Sequence, residues 1–176
     1  MILVRHGESH FNRLFRECRV DPGIRDPELT EDGHGQAAAA AAALAGEPLR
    51  AIIASPYTRA LQTAAILAEV LDLPVEIDPL VGERVAMSCD IGTPATELAI
   101  RWPRIDFGHL PEIWWPDYDE PEAGIRRRAA EFLTLTAARP GREGLLVVSH
   151  WGFIRALAGC EVHNCAITRF DWGTLS

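Results

Sequence analysis

Lysine is missing from this 176-residue chain, in which all 17 basic residues are arginine. This absence excludes lysine Schiff-base chemistry, because no side-chain amine is present to form the imine. The cation that remains is the planar guanidinium, which can bind phosphate or carboxylate through two parallel hydrogen bonds. A compositional bias toward arginine and alanine explains most of the count. The composition therefore permits anion binding without requiring it.

Long apolar runs, a basic leader and paired cysteine motifs are also missing. No stretch approaches the roughly 20 apolar residues of a membrane span, and the N-terminus lacks the pattern of a signal peptide. The four cysteines, Cys18, Cys89, Cys160 and Cys165, show no CxxC spacing, so we expect reduced thiols. We therefore expect a cytoplasmic protein with no membrane partner.

An excess of positive charge is lacking too. The formal net charge is -8 and the pI is about 5.2, which argues against a nucleic-acid partner. None of the six histidines has zinc-ligand spacing, so neither a metal nor another cofactor is expected. The length suits one domain over residues 1–176. The sequence leaves the oligomeric state open, with a homodimer among the alternatives.

Short apolar runs alternate with helical patterns along the chain. The apolar runs predict strands at 1–4, 51–54, 75–77, 145–149 and 166–170. Capping residues and helical spacing predict helices at 30–46, 122–138 and 152–157, and one that runs from a Ser55 N-cap and Pro56 to about Leu71. This order predicts an α/β fold of three α/β/α layers, with helices on both faces of a mostly parallel sheet. Ligands of such sheets bind outside the carboxyl ends of the strands.

Three segments place reactive side chains at the ends of predicted elements. Arg5 and His6 follow the first strand in VRHGE, His150 follows the strand at 145–149, and Arg59 lies in the first turn of a predicted helix. A neutral imidazole is a nucleophile toward phosphorus, and a neighbouring guanidinium both binds phosphoryl oxygens and disfavours the imidazolium. An arginine at a helix N-terminus adds a second anion contact. Each segment alone is equally compatible with a surface arginine or a core histidine.

Taken together, the segments resemble the histidine phosphatase superfamily, which includes the cofactor-dependent phosphoglycerate mutases. The resemblance rests on RHGE with Asn12, DPELTEDGHGQA, SPYTRALQTA and VSHWGFIRAL, in that order. It implies that His6 becomes phosphorylated and that Arg5, Arg59 and His150 hold the phosphoryl group. It also implies a further phosphate contact from Asn12.

The resemblance also implies a general acid after the third strand. Glu83 in LVGER is the best match, and Glu8 and Glu97 are the other carboxylate candidates. In the expected reaction His6 attacks phosphorus while a protonated His150 helps to bind the equatorial oxygens. Glu83 then protonates the leaving oxygen and later activates the water that hydrolyses the phosphohistidine.

The expected activity is metal-independent hydrolysis of a small phosphomonoester. Phosphoglycerate mutase-type transfer is the enzyme alternative, and non-catalytic binding of a phosphate ester or phosphopeptide is the other. Family mutases are longer and need a second phosphate-binding region. Here the middle of the chain offers only Arg84, Arg101 and Arg104 as extra anion ligands, which favours hydrolysis.

Residues 82–121 are predicted to form a specificity insert or lid, because prolines interrupt a long stretch of weak periodicity. Its tryptophans, Trp102, Trp114 and Trp115, either line the site or only pack the insert down. Arg84 is a predicted substrate contact. So is Trp151, whose position holds a small residue in many family members, so that the ring would narrow the pocket.

Overall fold

The computed structural model describes residues 1–117 and 119–175. Its five strands form one sheet in the order β3-β2-β4-β1-β5, and their bounds are β1 (Ile2–Arg5), β2 (Ala51–Ala54), β3 (Val75–Ile77), β4 (Leu145–Ser149) and β5 (Ile167–Arg169). The first four strands are parallel to one another, and β5 runs antiparallel to β1. The predicted mostly parallel sheet is therefore confirmed.

Helices cover both faces of this sheet. They are α1 (His10–Cys18), α2 (Glu31–Leu44), α3 (Thr58–Leu71), α4 (Ala95–Arg101), α5 (Glu122–Ala137) and α6 (Trp151–Ala158). Alternate strand residues point to opposite faces, so Val4 and Ile52 pack with α2 and α3, whereas Leu3 and Ile53 pack with α5 and α6. The predicted α/β/α layering follows from this alternation.

Two local features differ from the sequence-based expectation. Helix α1 was not predicted, although Phe11, Leu14 and Phe15 follow helical spacing in HFNRLFREC; Phe11 is its one buried residue. Helix α3 begins at Thr58, so the prediction of a Ser55 N-cap and Pro56 as first helical residue was wrong. Asp26, which is remote in sequence, accepts hydrogen bonds from the Thr58 N–H (2.8 Å) and hydroxyl (2.7 Å) in place of a local cap.

The insert at 82–121 packs onto α3 through its tryptophans. Trp114 is buried and meets the Tyr57 ring edge-on at 4.7 Å, while its indole N–H donates to the Thr93 carbonyl at 2.8 Å. Trp102 and Trp115 pack against the same core. Of the two alternatives for the tryptophans, this arrangement is the one in which they pack the insert down. Among the described helices, none is long and apolar enough to cross a membrane.

Candidate active site

A cavity of about 470 Å³ opens at the carboxyl end of β1, and it collects most of the residues singled out in the sequence. Its lining includes Arg5, His6, Asn12, Arg59, Glu83, Arg84 and Trp151. His150 lies beside this lining, fully buried, with its ring centroid 5.0 Å from that of His6. The three segments that are separate in sequence therefore converge at one place, as the ends of neighbouring parallel strands must.

His6 is held with one ring nitrogen turned away from the backbone. The backbone N–H of His6 donates to the Ser149 carbonyl at 2.9 Å, and this bond continues the pairing of β1 with β4. Ring nitrogen Nδ1 lies 2.7 Å from the Gly7 carbonyl and must donate to it, so Nε2 carries the lone pair. Burial, followed by the charges of Arg59 and Arg5, lowers the pKa of His6 well below its usual range. The neutral, nucleophilic ring is therefore the resting form.

Gly7 is required because the backbone passes very close to the start of α2. A Cβ at this position would lie 2.5 Å from the Gly33 carbonyl oxygen. The Gly7 N–H donates to the Thr63 hydroxyl at 3.1 Å, and that hydroxyl donates to the Arg59 carbonyl at 2.8 Å. The loop that carries His6 is thus tied directly to the helix that carries Arg59.

Two guanidinium groups face the cavity. Arg5 donates through one terminal nitrogen to the Val162 carbonyl at 2.9 Å, and its buried Nε has no partner among the described residues. Arg59 is buried and donates to the Cys89 carbonyl at 2.7 Å and to an Asp90 carboxylate oxygen at 3.1 Å. The buried Asp90 therefore fixes the orientation of Arg59, and sequence reasoning missed it.

His150 is held by Ser55. Nitrogen Nε2 lies 2.8 Å from the Ser55 hydroxyl, while Nδ1 is buried without a partner among the described residues. Burial, followed by the charges of Arg59 and His6, lowers the pKa of His150 well below its usual range. In the free pocket His150 is therefore neutral, because two guanidiniums and a low-polarity environment oppose a further cation. The protonated His150 of the expected reaction stays a prediction for the pocket with a bound phosphoryl group.

The Glu83 carboxylate reaches the start of α6, where the backbone N–H of Gly152 binds it. Its Oε1 accepts hydrogen bonds from the N–H groups of Arg84 at 2.8 Å and of Gly152 at 2.9 Å. A Cβ on residue 152 would overlap this oxygen, so the close approach needs glycine. Burial, followed by the charge of Asp90, raises the pKa of Glu83. A raised pKa is the property that a general acid requires.

The other two carboxylate candidates are engaged elsewhere. Glu8 forms an ion pair with Arg16 and accepts a hydrogen bond from the Thr30 hydroxyl at 3.0 Å. Glu97 pairs with Arg101 on the exposed side of α4. Glu83 is the one of the three candidates that lines the His6 cavity.

The remaining predicted ligands divide between this cavity and a remote groove. Asn12 lines the cavity, and its amide oxygen accepts hydrogen bonds from the Ser9 N–H and the Asn164 side chain, both at 3.2 Å. Arg84 lines the cavity as well. Arg101 and Arg104 lie in a separate groove beside α3 and β3, so the expectation that they add anion ligands to the site was wrong.

Trp151 forms part of the cavity wall, and its ring lies 5.1 Å from the Arg155 guanidinium. Three further residues that support the site, Ser55, Thr63 and Asn164, were not identified from the sequence. Ser55 was interpreted as a helix cap, and the strand-end position it shares with Arg5 and His150 was the signal that could have revealed it. In the described part of the chain, no three acidic, histidine or cysteine side chains are grouped as metal ligands would be.

Comparison with known proteins agrees with this geometry. The sequence model of the histidine phosphatase superfamily (branch 1) matches residues 1–174. A 2,3-bisphosphoglycerate-dependent phosphoglycerate mutase of Methylobacterium sp. (strain 4-46) is 35% identical over 172 residues, which cover 89% of this chain and 77% of the mutase. Phosphoserine phosphatase 1 of Hydrogenobacter thermophilus is 30% identical over 175 residues, which cover 97% of this chain and 79% of that protein.

Solved structures share the fold. The mycobacterial glucosyl-3-phosphoglycerate phosphatase, in its complex with VO3, superposes with a TM-score of 0.65 at 22% identity, covering 95% of this chain and 88% of that one. The family match spans nearly the whole chain and includes every residue that lines the His6 cavity. The chain therefore belongs to the histidine phosphatase superfamily.

Proposed function

We propose that this chain is a phosphoric monoester hydrolase that acts on a small phosphorylated substrate through a phosphohistidine at His6. The observation that carries the proposal is the state of His6. Its Nδ1 is engaged by a carbonyl, its pKa is lowered by burial and by two guanidiniums, and its ring borders the cavity. A buried neutral imidazole beside two fixed cations is suited to attack on a phosphoryl dianion.

The chemistry follows from the positions of the side chains. His6 Nε2 attacks phosphorus, while Arg5 and Arg59 meet the charge on the equatorial oxygens. The unpartnered Nδ1 of His150 becomes a donor once the bound dianion offsets the cations that oppose its protonation. Protonated Glu83 donates to the leaving alcohol oxygen, and its carboxylate then takes a proton from the water that cleaves the phosphorus–nitrogen bond.

Transfer between two positions of one substrate is the alternative activity. It draws support from a second cavity, of about 500 Å³, that adjoins the first and shares Arg5, Asn12, Phe15 and Arg19 with it. Arg16 and Arg19 line this second cavity, but Arg16 is already paired with Glu8. Hydrolysis remains the proposal, because Arg84 is the sole one of the three insert arginines that lines the site cavity.

A phosphoester panel without added metal tests the proposal. The wild-type protein is expected to release phosphate, and His6→Ala is expected to abolish the release. His34→Ala, which alters an exposed histidine on α2, is the matched control and should keep wild-type activity. Equal release of phosphate by wild type and His6→Ala would refute the assignment of His6 as the nucleophile. Tight binding of phosphoesters by wild type without any release would favour the binding-protein alternative.

The mutase alternative is tested with the same preparations. Wild type is incubated with 3-phosphoglycerate and catalytic 2,3-bisphosphoglycerate, and the products are followed by phosphorus NMR. Free phosphate is the expected product. Net formation of 2-phosphoglycerate at a higher rate than phosphate release would contradict the proposal and establish the mutase.

A further inference from the structure

Arg128 on α5 uses all five of its guanidinium N–H donors. Two of them form a bidentate contact with the Glu120 carboxylate at 2.9 and 2.6 Å. The other three donate to backbone carbonyls, those of Leu80 at 2.7 Å, Gly82 at 3.1 Å and Glu83 at 3.0 Å. One side chain thus binds the segment that ends at the proposed general acid.

The same contacts close the base of the insert. Residues 80–83 lie at the N-terminal end of the insert and Glu120 lies at its C-terminal end. Arg128 therefore connects the two ends of the insert. The Glu120 N–H also donates to the Val85 carbonyl at 2.7 Å. Neither Arg128 nor Glu120 lines the cavity, so the contacts of the pair reach the site through the backbone that it holds. The charge of Arg128 also contributes to the lowered pKa of His150, after burial and the charges of Arg59, His6 and Arg5.

Stability alone does not account for such a pair. The two side chains are only 13% and 7% exposed, and the desolvation of a buried ion pair commonly offsets its attraction, so that an apolar replacement is often neutral. What a bidentate contact provides is one defined geometry. Here the contact fixes the backbone of Glu83, because Arg128 donates to the Glu83 carbonyl. The Glu83 side chain extends from this backbone to the start of α6.

We propose that the Arg128–Glu120 pair is a positioning device for Glu83, which sets the general acid at the distance from the leaving oxygen that proton transfer requires. This inference rests on the proposed function. It predicts a selective defect in the protonation of the leaving group, which kcat/KM isolates because this constant reports the steps up to departure of the alcohol and not the later hydrolysis of the phosphohistidine. An alkyl alcohol needs a proton to depart, whereas p-nitrophenolate departs without one.

The test compares β-glycerol phosphate with p-nitrophenyl phosphate for wild type, Arg128→Met and the control Arg126→Met. Arg126 lies on the same helix but is exposed, and it forms an ion pair with Glu122. A displacement of about 1 Å can cost about 10²-fold, so Arg128→Met should lose about that factor in kcat/KM on the alkyl ester. Its loss on the nitrophenyl ester should be under about tenfold, and Arg126→Met should resemble wild type on both.

Two outcomes overturn the inference: equal losses of Arg128→Met on the two esters, or no loss on either. Glu120→Gln keeps the shape of the pair and removes its charge, and it decides the question if Arg128→Met fails to fold. It should show the same selective loss, and an equal loss on both esters would again overturn the inference. In Arg128→Met combined with Glu83→Gln, the alkyl-ester loss should not exceed that of Glu83→Gln alone. Wild type that hydrolyses neither ester would instead refute the proposed function.

Discussion

Replacing Glu83 with glutamine tests the general acid with little disturbance of the fold. Glu83 Oε1 accepts from both the Arg84 and Gly152 amides, and the amide oxygen of glutamine can accept the same two bonds. The contact that changes is the weaker one, from the Gly152 N–H to Oε2 at 3.2 Å. The substitution therefore removes the ionisable proton while it keeps the side chain in place.

The loss of activity should be large for esters with poor leaving groups. General acid–base catalysis contributes about 10²- to 10⁴-fold, which corresponds to about 3 to 5 kcal/mol in the activation barrier. We expect kcat on an alkyl phosphate to fall by that range. On p-nitrophenyl phosphate the first transfer needs no acid, so release should slow mainly because hydrolysis of the phosphohistidine loses its base.

The pH dependence gives a second readout. Loss of the lone pair on His6 sets the acid limb of kcat/KM, and because its pKa is lowered by burial and by Arg59, this limb should lie below about pH 6.5, the pKa of an unperturbed histidine. Ionisation of Glu83, whose pKa is raised by burial, sets the alkaline limb. Glu83→Gln should keep the acid limb and lose the alkaline one.

The stability of the same variant has a defined sign. Burial raises the pKa of Glu83, so as the pH rises the unfolded chain releases this proton before the folded one does, and wild type loses stability. Glutamine does not ionise, so the variant does not lose stability in this way. The free energy of unfolding of Glu83→Gln should therefore rise relative to that of wild type as the pH increases above about 4.3, the pKa of an unperturbed glutamate, through the raised pKa of the folded protein. An unchanged alkaline limb together with an undiminished rate on the alkyl ester would refute the assignment of Glu83.

Three further substitutions test other parts of the site. Asp26→Asn should lower the free energy of unfolding by about 1–3 kcal/mol in urea titrations, because an NH₂ group replaces Oδ2, which accepts from the buried hydroxyls of Thr58 and Thr93; an unchanged value would show that Asp26 does not hold α3. Gly152→Ala would displace the Glu83 carboxylate, so alkyl-ester activity should fall toward that of Glu83→Gln with little change in Tm. Arg101→Ala should leave kcat/KM within about twofold, because surface substitutions away from special features have small effects, and a large loss would place the substrate elsewhere.

The sheet could be predicted from the sequence because its strands are nearly continuous apolar runs. Every residue of β4, LLVVS, is buried, and buried parallel strands have this signature. Helix α1 was missed although its signal is present, because Phe11, Leu14, Phe15 and Cys18 recur at helical spacing after the Ser9 N-cap. The start of α3 was misplaced because its cap comes from Asp26, a residue that local sequence cannot connect to it.

The candidate site was predictable where its residues stand at strand ends, and not where they act through long-range contacts. His6 and His150 follow predicted strands, and Arg59 lies in the first turn of a predicted helix. The structure brings the three residues together. Asp90 contacts Arg59 from 31 positions away, and Arg128 reaches Glu83 from 45. Such pairs depend on how the insert folds back onto α3 and α5, and no local pattern encodes that packing.

Rapid quenching with a phosphorus-labelled substrate tests the central claim most directly. After a few milliseconds of reaction, the wild-type protein should carry label that is stable to base, labile to acid and confined to the peptide that contains His6. With labelled p-nitrophenyl phosphate, whose leaving group needs no proton, Glu83→Gln should accumulate more of it, because hydrolysis of the intermediate loses its base. An acid-stable adduct, or turnover by wild type with no labelled His6 peptide, would contradict the account.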